Sequence, residues 1–189
     1  MKRHFIIDAS ALAPFILPSN KISPPEIAAK KAIVKLLAFR DAGRCCLYVP
    51  NFCMAECSKV FASVCFAMWK NKTEATENYH KYIELLINIV SSVRKGLIQS
   101  LNLERKHLVD IEAVFKAEHE LISRGSEGPL SGFDALIVAM GKELVQLYGR
   151  DAVFIVTADR KMAKVCNYGR SHGFPNAICL PDDPIPDGK

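Results

Sequence analysis

At 189 residues, 50% hydrophobic and 24% charged, the chain has the composition of a folded globular protein, which excludes extensive disorder. That length suits one domain with a full α/β core, since single domains hold on the order of 100 to 200 residues. The net charge of +5 points to a polyanionic partner, and no stretch approaches the roughly 18 uninterrupted apolar residues of a membrane span.

In chain order, the basic opening Met1-Lys2-Arg3-His4 leads into apolar residues in the manner of a secretory leader, but Asp8 and Pro14 interrupt the stretch. Phe5 to Ile7 is therefore read as a first strand, and the protein is expected to be cytoplasmic. Ala9 to Leu17 follows as a short helix and 18–25 as a loop. Ser23-Pro24-Pro25-Glu26 has capping-box spacing with proline at the first helical position, and Gly43 supplies a stop, so a helix is expected over 24–42. Strand Leu47 to Val49 leads into a helix of about 18 residues whose stripe is Cys53, Cys57, Val60, Phe61, Val64, Cys65 and Met68. A second helix, over 73–95 with Tyr79, Tyr82, Ile83, Leu86, Ile87, Val90 and Val93 on one face, completes a helical hairpin.

A third strand is expected at 97–101, a helix at 104–123, a loop at 125–129 and a helix at 133–148. Strand Val153 to Val156 precedes a short helix over 160–166, and Ala177 to Leu180 supplies an edge strand. The segment 181–189, with three prolines and three aspartates, reads as a mobile tail. Alternating strands and helices predict an α/β three-layer sandwich with a central, mainly parallel sheet flanked by helices, and nothing divides positions 1–180 into smaller units.

Seven cysteines, at 45, 46, 53, 57, 65, 166 and 179, form no paired Cys-x-x-Cys spacing, which argues against a disulfide framework or a zinc ribbon. Cys53 and Cys57 share a helix face, and the preferred reading is buried thiols rather than a metal site.

The chemistry lies in four acids at element junctions: Asp8 after the first strand, Glu56 early in the helix after the second, Asp134 at the start of helix 133–148, and Asp159 just past strand 153–156. Each has a plain structural role open to it. Asp134 fits the Ser-x-x-acid capping pattern from Ser131, Asp8 and Asp159 are placed to cap helices, and Glu56 is an ordinary helix-surface residue. Together they exceed what capping needs, because ligands of open α/β sheets bind at the carboxyl ends of strands. Hard oxygen ligands select Mg2+ or Mn2+, and two such ions can clamp a phosphodiester for hydrolysis. Ser10 and Thr157 offer hydroxyls to orient these carboxylates, with local turn bonding as the alternative. If the four acids form one pocket, a charge of +9 is left on the rest of the chain, a balance suited to a polyanionic partner around a metal-loaded centre, with a soluble basic surface as the alternative.

Four blocks, Ile7-Asp8-Ala9-Ser10-Ala11-Leu12, Val49-Pro50 with Ala55-Glu56-Cys57, Ser131-Gly132-Phe133-Asp134-Ala135-Leu136-Ile137-Val138-Ala139, and Val156-Thr157-Ala158-Asp159, resemble in order the motifs of the PIN-domain nucleases, especially the toxins of VapBC-type toxin–antitoxin pairs. The resemblance covers nearly the whole chain. It implies a parallel sheet sandwiched by helices, a single PIN-like nuclease domain over 1–180 and metal-dependent endoribonuclease activity. Asp8, Glu56, Asp134 and Asp159 would hold the ions and carry catalysis, with Ser10 and Thr157 in support. It also implies a homodimer and a small antitoxin partner.

Two features depart from the family. Lys161 and Met162 stand where many members carry a further acid and an aromatic residue, and the chain is longer than a compact toxin, in the 18–25 loop and the 73–95 helix. Lys59, Arg160, Lys161 and Lys164 are candidate contacts for RNA phosphates, against the alternative of a solvated charged face. Trp69, Tyr79 and Tyr82 suit helix packing better than base stacking. The competing functions are a noncatalytic PIN-like module that binds RNA or a protein, and a phosphatase with Asp8 as nucleophile, disfavoured because Ser10 occupies the position where that chemistry places a second acid.

Overall fold

A computed structural model describes residues 2–67, 72–91, 97–123, 125 and 129–186. Six strands form one sheet: β1 (Arg3–Ile7), β2 (Cys45–Pro50), β3 (Val90–Ser91), β4 (Ile98–Leu101), β5 (Val153–Thr157) and β6 (Asn176–Cys179). Their order is β3-β4-β2-β1-β5-β6, and every pairing is parallel. Strands buried on both faces read as continuous apolar runs, as Phe5, Ile6 and Ile7 do, each with no exposed surface.

Seven helices flank the sheet as outer layers of the sandwich: α1 (Ala9–Ile16), α2 (Pro24–Asp41), α3 (Cys53–Phe66), α4 (Lys72–Ile89), α5 (Arg105–Ser123), α6 (Gly132–Tyr148) and α7 (Arg160–Tyr168). At the start of α2, Glu26 accepts the Ser23 backbone N–H at 2.7 Å, the expected capping box. Gly43 follows the helix at φ +70°, a left-handed turn that other residues rarely adopt. The α3–α4 hairpin is sealed by tilted ring contacts, Phe61 with Tyr82 at 5.8 Å and Phe66 with Tyr79 at 5.5 Å, so both tyrosines pack as expected.

Helix α4 ends at Ile89, not at 95 as its periodicity suggests, and the chain enters β3, where Val90 pairs with Ile98. Apolar spacing alone cannot separate a helix's last turn from a short buried strand. Met68, Trp69, Val93 and Lys95 lie outside the described residues. Segment 181–186, read from the sequence as the start of a mobile tail, is held in place: Ile185 is buried in the core, and Asp183 accepts the Cys179 N–H at 2.8 Å. Among the described residues no helix is long and apolar enough to cross a membrane.

Strand β1 lies between β2 and β5, with Ile7 in register with Val156. The chain departs from β1 towards β2 and β4 on one side and towards β5 and β6 on the other. The crevice beyond the carboxyl ends of β1 and β5 is thus the switch point at which such sheets bind ligands.

Candidate functional site

Asp8 leaves β1 at this switch point. Its backbone N–H donates to the Val156 carbonyl at 3.0 Å, and its carbonyl accepts from Ala11 and Leu12 to start α1. The side chain does not cap α1 in the expected manner. Its Oδ2 instead accepts the hydroxyls of Ser10 at 2.5 Å and Thr157 at 2.9 Å. Each hydroxyl is oriented in turn, because Ser10 Oγ accepts the Ala158 N–H and Thr157 Oγ1 the Asp159 N–H, both at 2.9 Å. Two donors from separate segments therefore converge on one oxygen of a carboxylate only 4% exposed.

Asp134 and Asp159 serve as caps and also line the cleft. Asp134 Oδ2 accepts the Ser131 N–H at 3.1 Å in the capping box of α6. Asp159 Oδ1 accepts the N–H groups of Lys161 at 2.6 Å and Met162 at 3.2 Å, capping α7. Each cap engages one oxygen of a group that has two, so capping and ligand binding are compatible. Glu56, in the first turn of α3, completes the set. All four acids line one open cleft of about 390 Å³ together with Ala9, Ser10, Lys59, Val60 and Ser63.

The tightest grouping is one that sequence reasoning missed. Ligand atoms of Asp8, Cys53 and Glu56 all lie within 4.8 Å of one another. Cys53 is fully buried, as a structural thiol should be, yet it faces the acids because it stands one helical turn before Glu56. Burial, with the charges of Asp8 and Glu56, pushes its thiol well above the ordinary range. Cys57, also buried, is pushed up to about 12 by the same causes.

Asp8 and Glu56 are electrostatically frustrated. Burial raises the Asp8 pKa and the Asp134 charge adds to it, against the lowering bonds from Ser10 and Thr157. Burial also raises Glu56, reinforced by Asp8 and Asp134 and opposed by Cys53 and Lys59. Oxygen-rich clusters of this kind suit hard divalent ions.

Among the described residues that line the cleft, Lys59 is the only cation. Arg160 pairs instead with Asp182 at 3.0 Å, and Lys161 and Lys164 sit on α7 outside the cleft lining. The structure thus lines one cleft with the four acids, Ser10 and Lys59, with Asp8 and Glu56 the two acids in the close group and Thr157 bonded to Asp8 from behind, and leaves the other three basic candidates to one side. No family model matches this chain, and no curated protein matches it.

Proposed function

We propose that the protein is a divalent-metal-dependent endoribonuclease of the PIN type, with Asp8, Glu56, Asp134 and Asp159 holding Mg2+ or Mn2+. The observation that carries this reading is the convergence of these four acids on one open cleft at the switch point of a parallel sheet. The donor set fits the ion: four carboxylates share the cleft with a single lysine, a mainly oxygen set that a hard divalent ion prefers. A bound ion supplies the charge that activates water and stabilises the departing oxygen. Ser10 and Thr157 hold the Asp8 carboxylate in one orientation, the caps of α6 and α7 fix Asp134 and Asp159, and Lys59 draws a phosphate towards the cleft.

The purified protein is expected to cleave single-stranded RNA with Mg2+ or Mn2+ and to stop in EDTA. Asp8→Asn and Asp134→Asn should each lower the rate on the order of 10³-fold, several kcal/mol of lost stabilisation, without unfolding the chain. Undiminished cleavage by either variant would remove the ligand assignment. The finer reading, a toxin with a cognate antitoxin and a homodimeric state, rests on the resemblance of motifs; a short reading frame for a DNA-binding antitoxin next to this one would support it. A noncatalytic RNA- or protein-binding module is the second reading, favoured by Lys161 where relatives of this type often carry an acid. Metal-dependent turnover would exclude it.

A further inference from the structure

Two phenylalanines meet at the starts of the two helices that carry Glu56 and Asp134. Phe133 immediately precedes Asp134 in the first turn of α6, and Phe52 lies one turn before Glu56 at the start of α3, whose N–H bonds back to the Phe52 carbonyl. Their rings stack, with centroids 5.3 Å apart and planes inclined by 27°. Phe52 packs against the core, but Phe133 is 50% exposed, whereas Phe5, Phe61 and Phe174 are fully buried. An aromatic ring braced from behind and open to solvent, next to a phosphate-binding centre, has the form of a stacking platform: every base has a π-face, and aromatic side chains that carry unpaired bases need no other contact.

We propose that Phe133, braced by Phe52, stacks an unpaired nucleobase of the RNA strand whose phosphate enters the cleft. This inference rests on the ribonuclease reading and deepens it by naming the side chain that takes an unpaired base of the strand. The capping box from Ser131 fixes the backbone on both sides of Phe133, so the Cα atoms that carry the ring and the Asp134 carboxylate keep a constant separation. A strand engaged at the cleft by its phosphate is therefore positioned by its base one residue away.

The test is binding of a single-stranded decaribonucleotide containing 2-aminopurine, followed by fluorescence and anisotropy. Ca2+ replaces Mg2+ or Mn2+, and strand integrity is checked on a gel. Wild type and Phe133→Trp should quench the probe, while Phe133→Ala and Phe133→Leu should bind about 5- to 100-fold more weakly with little quenching, all four melting at similar temperatures. A duplex of the same sequence should bind without dependence on Phe133. If Phe133→Ala or Phe133→Leu bound and quenched like wild type, or if duplex binding fell equally, the stacking assignment would be overturned while RNA cleavage by the wild type still stood. Failure of the wild type both to bind and to cleave the strand would overturn the two readings together.

Discussion

Helix α6 contributes to two charge clusters built on opposite rules. In its later turns Glu143 lies 2.6 Å from both Lys106 Nζ and His107 Nε2, and Lys142 donates to Asp110 at 2.6 Å. His107 Nδ1 accepts the Glu104 N–H at 2.9 Å, so Nε2 carries the proton donated to Glu143. Every acid there faces a base, and the result joins α5 to α6. At the other end of the same helix, Asp134 enters a cleft with three further acids and only Lys59. Charges matched from within serve the fold, whereas the unmatched charges of the cleft are those the proposed cation would neutralise.

The difference has a sign that pH reveals. The Asp8 and Glu56 pKa values are raised, chiefly by burial, so the native state holds these protons more tightly than the unfolded chain. Without metal, their contribution to stability is complete below the ordinary carboxylate range and is lost as pH rises through the raised values. A divalent ion should replace the missing protons. At 100 times its dissociation constant, Mn2+ is expected to add about 2.7 kcal/mol at pH 8, roughly 5 to 10 °C in melting temperature, and much less at pH 5. Equal gains at both pH values, read by thermal melting, would remove the contrast between the clusters.

Ser10→Ala and Thr157→Val should each reduce metal affinity about 10- to 100-fold, since each removes a donor that orients Asp8; calorimetric titration with Mn2+ would measure it. The matched cluster should respond in the opposite sense. Burial pushes the Glu143 carboxyl up, but bonds from Lys106 and His107 outweigh it and hold the pKa below the usual range. Its stabilisation is present above the ordinary glutamate value and fades as pH falls through the lowered one. Glu143→Gln should cost about 1 kcal/mol at pH 7, a drop of roughly 2 to 4 °C, and leave metal titration unchanged. The smallest effect is expected for Lys59→Ala: uniformly weaker RNA binding, with a salt-dependence slope shallower by about 0.7 for a single-stranded ligand. An unchanged slope would show that Lys59 does not contact phosphate.

Much of the site was legible in the chain because the four acids sit at junctions marked by strong local signals. The run Phe5-Ile6-Ile7 before Asp8, and Val153 to Val156 before Asp159, announce strand ends, while Ser131 and Asp134 announce a helix start. The capping role, which competes on paper with the proposed ligand role, leaves one oxygen of Asp134 and of Asp159 outside the cap. Less legible were Cys53, whose buried position hid its approach to Asp8 and Glu56, and the short strand β3, whose Val90 continued a helical stripe. Arg160 followed an acid closely in sequence, but its partner Asp182 comes from the segment after β6.

By itself the sequence determined the α/β class, the parallel character of the sheet and the residue types able to hold a hard cation. Hydrophobic periodicity and capping patterns are local properties, readable over a few neighbours. The tertiary structure decided which donors meet: Ser10 and Thr157 converge on one oxygen of Asp8 because β1 and β5 are adjacent in the sheet, although 147 positions separate the two hydroxyls. It also decided that Phe52 and Phe133 stack on one another, since the starts of α3 and α6 come together only when strands from distant parts of the chain pair in register.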